Sequence, residues 1–314
     1  MKKNISTGDK LNFVRTASSL LPALGDIPVP EFSSTNIKNF GANLALSTEN
    51  YKLRVAPFHI VGNIYYVGDY FNPSYLIDTG EGLVLLDTPM PTAAYMLFQS
   101  IWELGFNPKD IKYVIHSHYH GDHTGSTAPL VDIFGAKTVI SAVDAKVMEE
   151  NAKKGVIAGP GGFSFAPFKP DILLENGDTF TFGNLKIRAV LCPGHTPGTM
   201  TYFWDMEHNG KTYTCATFGG TGFNTLSVAA CKKYGTPLSI RDEFINSLNK
   251  VRNEKVDIHI GNHAFQSFMF QKSEIDKKNG NDGSVYIDST EWQWYIDKTL
   301  EAYKAFRAED DKNL

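Results

Sequence analysis

Most of the features that would place this 314-residue sequence in a class at first sight are missing or scarce. Cysteine occurs three times, at Cys192, Cys215 and Cys231, without a CxxC pair. That pattern indicates neither a disulfide framework nor a thiolate zinc knuckle, and leaves room for one disulfide at most. No apolar run reaches the roughly 18 residues that a membrane-spanning helix needs. Lys2 and Lys3 are followed by a polar stretch over residues 4–10 and not by the apolar core of a secretory signal. Charge of one sign is lacking too, with 30 Lys and Arg against 34 Asp and Glu for a formal net charge of −4. No field therefore draws a polyanion, and nucleic acid is not expected as a partner.

Histidine is also sparse, with nine in the chain, yet His116, His118, His120 and His123 fall within eight positions beside Asp122. Neutral imidazole nitrogens and carboxylate oxygens are what a borderline cation such as zinc prefers. In an extended segment, His118 and His120 point to one face, so one cation can take both. Gly121 permits a turn, which sends Asp122 and His123 in another direction and suggests a second, neighbouring metal. His116 either supports the cluster or is a buried strand residue. Two further histidines end apolar strands: His195 in Cys192-Pro193-Gly194-His195-Thr196-Pro197-Gly198, and His263 in Ile260-Gly261-Asn262-His263. Taken with the first cluster, both read as ligands.

The pattern around these sites is a repeated order of β-meander and α/β unit. Short apolar strands are expected at 58–67, 75–78 and 83–87, a helix at 91–104 and a strand at 111–115. A helix at 126–134, a strand at 137–141 and a helix at 142–154 follow. A second β-rich half starts at residue 172, with strands at 185–191, 199–204 and 213–218 and an Asn209-Gly210 hairpin. A helix at 237–251, a strand at 256–260 and a helix at 290–306 close the chain. This order predicts an α/β fold in four layers, an αβ/βα sandwich, as a single domain over residues 53–314 with residues 1–52 as an amino-terminal extension. Residues 155–170, rich in Gly, Pro and Phe, read as a loop over the site or as a surface crossover.

With its His118-x-His120-x-Asp122-His123 signature and its Pro193-Gly194-His195-Thr196-Pro197-Gly198 turn, the sequence resembles the metallo-β-lactamase fold superfamily from about residue 57 to residue 263. The resemblance implies one zinc on His118, His120 and His195 and another on Asp122, His123 and His263, two Zn2+ per chain. Most hydrolases of that superfamily carry a bridging aspartate about twenty residues after the histidine matching His195. The corresponding stretch of this chain, Ala216-Thr217-Phe218-Gly219-Gly220-Thr221-Gly222, has neither aspartate nor cysteine. That is similar to the third subclass of class B β-lactamases. Members of that subclass often place serines where Gly220 and Gly222 stand, so Thr221 or Asn224 is expected to take over their contacts with substrate. The implied activity is hydrolysis of the β-lactam amide by a metal-bound hydroxide, with Asp122 orienting the nucleophile and passing its proton. A lactonase or other metallo-hydrolase of the same fold is the alternative. Family habit places such enzymes in the periplasm or outside the cell, acting on small-molecule antibiotics. Di-iron oxygen reductases of this fold replace a cluster histidine with glutamate, a change this sequence lacks.

Overall fold

Two facing β-sheets, each backed by helices, make up the computed structural model, which describes residues 50–153, 166 and 168–314. The first sheet runs in the order β1 (Phe58–Val61), β2 (Ile64–Tyr66), β3 (Tyr75–Asp78), β4 (Leu83–Leu86), β5 (Ile111–Ile115), β6 (Lys137–Ser141) and β7 (Ile172–Leu174). Its first four strands are antiparallel, and β4 to β7 are parallel. The second sheet has the order β12 (Ile258–His259), β11 (Lys211–Phe218), β10 (Met200–His208), β9 (Leu185–Leu191) and β8 (Thr179–Phe182). Only its β11–β12 pair is parallel.

Side-chain alternation explains why the strands read as near-continuous apolar runs. In β4 and β5, Leu86 and Ile115 enter the core between the sheets, while Leu85 and Val114 face the other way. The outward set packs on Leu97 and Ile101 of α1 (Ala94–Glu103) and on Leu130 of α3 (Thr127–Phe134). Between them lies the short α2 (Gly121–Thr124), and α4 (Ala142–Lys153) follows β6. Behind the second sheet, α5 (Val228–Tyr234), α6 (Ile240–Val251) and α8 (Glu291–Asp310) cover Phe203, Ala216 and Phe218 with Cys231, Phe244, Leu248, Trp292 and Ile296. The expected four-layer αβ/βα arrangement is the one observed.

Several boundaries differ from the expectation. The 58–67 run is a hairpin, broken at Gly62 with φ +57°, a conformation glycine adopts without penalty. Ile172 does not open the second half: β7 pairs in parallel with β6 (Val139↔Ile172), so it closes the first sheet. The 256–260 strand shrinks to Ile258–His259. Helices α5 and α7 (Met269–Lys278) have no counterpart in the expected order. The Asn209-Gly210 turn forms as expected, with φ of 51° and 72° between paired His208 and Lys211. All three cysteines are buried and free, so the one disulfide that their number permitted is absent. Residues 1–49 of the expected extension, and 154–165 and 167 of the expected loop, lie outside the described residues.

On β12, His259 is fully buried, its ring 4.4 Å from that of Tyr295 and 5.5 Å from that of Trp292. Neither ring nitrogen has a hydrogen-bond partner, and the Glu291 Oε1 carboxylate oxygen is 3.9 Å from Nδ1. Burial, and after it the Lys272 ammonium, holds its pKa well below the ordinary 6.5. Below pH 6.5 the unfolded chain therefore takes up a proton at this ring that the folded chain refuses, and stability falls with pH until the folded pKa is reached. His259→Leu should remove one proton from that dependence, about 1.4 kcal/mol per pH unit, in urea unfolding series run between about pH 7 and pH 5. An unchanged slope would refute the assignment.

Candidate metal centre

Five chain segments deliver polar groups to one rim of the sandwich, each from the end of a strand: β4 brings Asp87, β5 brings 116–123, β9 brings His195, β11 brings 219–222 and β12 brings His263. His118 and His120 follow the end of β5, and α2 starts at Gly121, so Asp122 and His123 turn into a helix as the glycine suggested.

Hydrogen-bond partners fix the histidine tautomers. His195 Nδ1 donates to the Gly222 carbonyl at 2.9 Å, and His263 Nδ1 to the Phe71 carbonyl at 3.1 Å. His123 Nδ1 donates to Asp87 Oδ2 at 2.9 Å. Ser117 Oγ donates to that same carboxylate oxygen at 2.6 Å, so it accepts from His118 Nδ1 at 3.1 Å. Each of these four rings therefore keeps an Nε2 lone pair for the site.

The consequence is a cluster that hydrogen bonds alone cannot satisfy. His120 Nδ1 lies 3.1 Å from His118 Nε2 and 3.0 Å from His195 Nε2, and one proton can bridge only one of these contacts. A cation satisfies all three nitrogens at once, and their separations are close to the roughly 3.3 Å edge of a tetrahedral zinc site. Beside them, Asp122 Oδ2 sits 3.6 Å from His123 Nε2 and 3.9 Å from His263 Nε2. His123 Nε2 is buried and has no hydrogen-bond partner, as a ligand nitrogen without its ion would be. Among the described residues, the tightest donor groups are His118, His120 and His195, and His118, Asp122 and His123, each with ligand atoms within 4.8 Å. His263 joins the second group through Asp122.

Electrostatics favour the ligand form. Burial pushes the His195 and His263 pKa values down to about 4, and burial together with the neighbouring rings holds His118 and His120 well below the ordinary range. These rings are neutral at physiological pH, as ligation requires. Burial would raise the Asp122 pKa, but His123, His263, His120 and His195 outweigh it and keep the carboxylate below its ordinary value.

A profile described as the metallo-β-lactamase superfamily matches residues 67–208. The chain carries a metallo-β-lactamase domain. Its fold is similar to that of BJP-1, a subclass B3 metallo-β-lactamase of Bradyrhizobium japonicum, with a TM-score of 0.75, 26% identity, and coverage of 84% of this chain and 98% of that one. Native FEZ-1 of Legionella gormanii gives 0.72, 26%, 82% and 97% in the same order. Among curated sequences, a hydroxyacylglutathione hydrolase of Anaeromyxobacter dehalogenans is 26% identical over 190 residues, covering 60% of each chain. The chain thus spans less than two thirds of that relative's length.

Behind the donors of this metallo-β-lactamase domain lie residues that the sequence pattern does not single out. Asp87 accepts from Ser117 N at 2.7 Å, from Ser117 Oγ and from His123 Nδ1, and it adopts φ 57° to do so. A carboxylate closing the apolar run 83–87 is the one signal of it in the chain. Asp144, at the start of α4, accepts from Tyr119 N, Thr196 Oγ1 and Gly198 N, tying the 118–120 turn to the His195 turn. Of the two readings of His116, support is the one observed: Nδ1 donates to the His123 carbonyl at 3.0 Å and Nε2 accepts from Thr127 at 3.2 Å. Phe168, from the described end of the 155–170 segment, packs on the His116 ring at 5.2 Å.

The stretch without the bridging aspartate has no room for one at two of its positions. A Cβ on Gly219 would lie 2.1 Å from the Met200 carbonyl oxygen, and one on Gly220 2.6 Å from His195 Cδ2. At Gly222 it would meet His195 Cε1 at 2.9 Å and Asn224 Oδ1 at 2.8 Å. The serines of the resembling subclass therefore have no space in this chain with His195 where it stands. Thr221 turns instead toward Gln266 and Tyr295, at 3.2 and 2.7 Å.

Two outcomes follow for metal affinity, read by competition against a chromophoric chelator. Gly220→Ser should displace His195 and weaken binding by about 10- to 100-fold, and Asp87→Ala should do the same by releasing the His123 and His118 tautomers. Wild-type affinity in either variant would count against the corresponding contact.

Proposed function

We propose that this metallo-β-lactamase superfamily hydrolase is a zinc-dependent β-lactamase that uses two Zn2+, one held by His118, His120 and His195 and one by Asp122, His123 and His263. The observation that carries the reading is the extent of the structural likeness: BJP-1 and FEZ-1 are matched over 97–98% of their chains, whereas the hydroxyacylglutathione hydrolase is matched over 60%. Zinc in such a donor set supplies a Lewis acid for the carbonyl and brings the pKa of a bound water to about 7.

The protein's own groups do the rest. Asp122, ionised at neutral pH, orients the attacking water and accepts its proton, then returns it to the departing nitrogen. Gln266 Oε1 accepts from His263 N at 3.2 Å, which fixes the amide so that Nε2 donates to Thr221 Oγ1. Thr221 Oγ1 also lies 2.7 Å from the Tyr295 hydroxyl, where either group can donate. With Tyr295 as the donor, the Thr221 proton is left for an acceptor on the substrate, such as the β-lactam carboxylate. Asn224, flanking the loop at Gly222, is the second contact. Residues 53–314 form the catalytic domain in this reading and residues 1–52 an extension, with the periplasm or the cell exterior as the compartment. Among the described residues no helix is long and apolar enough to cross a membrane.

The alternative is a lactonase or another metallo-hydrolase of the same fold, favoured by the hydroxyacylglutathione hydrolase relative. A carbapenem, a cephalosporin and an acyl-homoserine lactone offered to one zinc-loaded sample separate the two. Chelator-sensitive β-lactam turnover is expected, and faster turnover of the lactone would overturn the substrate assignment. Asp122→Asn should lower kcat/KM by about 10²- to 10⁴-fold, as loss of a positioned proton acceptor does. A variant that turned over as fast as wild type would remove Asp122 from the reaction.

A further inference from the structure

The turn after His263 carries a side chain that packing does not explain. Residues Ala264–Ser267 form a 3-10 turn in which Ala264, Gln266 and Ser267 are buried and only Phe265 points outward, 57% exposed. The turn is tightly held: Gln266 accepts from His263 N, Ser267 Oγ accepts from Gly261 N at 3.0 Å, and Phe268 takes a left-handed conformation to end it. The exposure of Phe265 is thus imposed by a fixed backbone. Its ring lies parallel to the His263 imidazole, 11° between planes and 5.5 Å between centroids. Phe71 approaches the same imidazole at 4.7 Å and a 44° tilt, and its carbonyl holds His263 Nδ1. His263 is therefore flanked by two phenyl rings, one of them largely exposed.

An exposed aromatic ring flush with a candidate ligand loses contact with water only when a bound molecule covers it. We propose that Phe265, with Phe71, is a specificity-determining wall that selects substrates carrying an aromatic or bulky apolar group on the amine or alcohol side of the scissile bond. This rests on the proposed reading in which Asp122, 3.9 Å from His263 Nε2, returns the proton to the departing group, which places that group beside these rings. Neither ring touches the reacting atoms, so the wall acts on recognition and leaves the proton transfers to Asp122.

Equilibrium binding tests the wall without turnover. The probes are 2-phenylethanethiol and ethanethiol, which share the zinc-binding thiol and differ in the phenyl group, titrated calorimetrically into the zinc-loaded full-length protein. Wild type should bind the phenyl thiol at least about 10-fold more tightly, Phe265→Ala should reduce that ratio to about 2-fold, and Phe265→Trp should retain it. A wild-type ratio near one, or a ratio unchanged in Phe265→Ala, overturns the wall while leaving the metal centre intact. If neither thiol binds the zinc-loaded protein, the reading of the cluster as a zinc centre fails and the proposal with it.

Discussion

One carboxylate holds the centre in register. Asp87 directly follows β4, beside the end of β5, and accepts from the Ser117 backbone, the Ser117 hydroxyl and His123. Through them it sets the His118 and His123 tautomers, so two candidate ligand rings are oriented by one carboxylate. A left-handed conformation at a non-glycine residue costs on the order of 1–3 kcal/mol, and hydrogen bonds to a charged acceptor return about 1.5–3 kcal/mol each. Three of them more than offset the strain. The site can hold this geometry because β4 and β5 are parallel neighbours whose ends lie side by side, with Asp87 N donating to the Ile115 carbonyl.

Asp144 plays the matching part across the sandwich. Burial pushes its pKa up to about 7, against three hydrogen bonds that pull the other way. By gripping the Tyr119 backbone together with Thr196 and Gly198, it links the loop after β5 to the loop after β9. His195 thereby meets His118 and His120 although 75 residues separate it from His120. The close approach of Gly220 and Gly222 to that imidazole then closes the rear of the first donor group. The histidine itself fills the space that a side chain at either glycine would need.

Much of this is legible in the chain. The donors stand out because imidazoles clustered beside a carboxylate have few other uses, and the layers stand out because strand and helix periods alternate in order. Three things do not. The helix Met269–Lys278 buries Lys272, Ser273 and Asp276 beside Met269, so its inward face is polar and lacks an apolar period. Lys272 survives there by pairing with Glu291, a contact 19 residues away that no local pattern announces. The boundary at Ile172 is ambiguous because a three-residue apolar strand reads alike in either sheet, and only its pairing with β6 decides. Asp87 and Asp144 are inconspicuous because a single carboxylate at a strand end or a helix start is common, and their partners are long-range.

The fate of the thiols has a further consequence. Cys192, Cys215 and Cys231 are sealed in the core, and burial raises the pKa of each, that of Cys192 to about 11. None offers the exposed thiolate at which peroxide or a disulfide reagent attacks, and none stands among the donors. A candidate metal centre whose donors are nitrogen and oxygen alone, with the sulfur locked away, has no thiolate for oxidising conditions to strip.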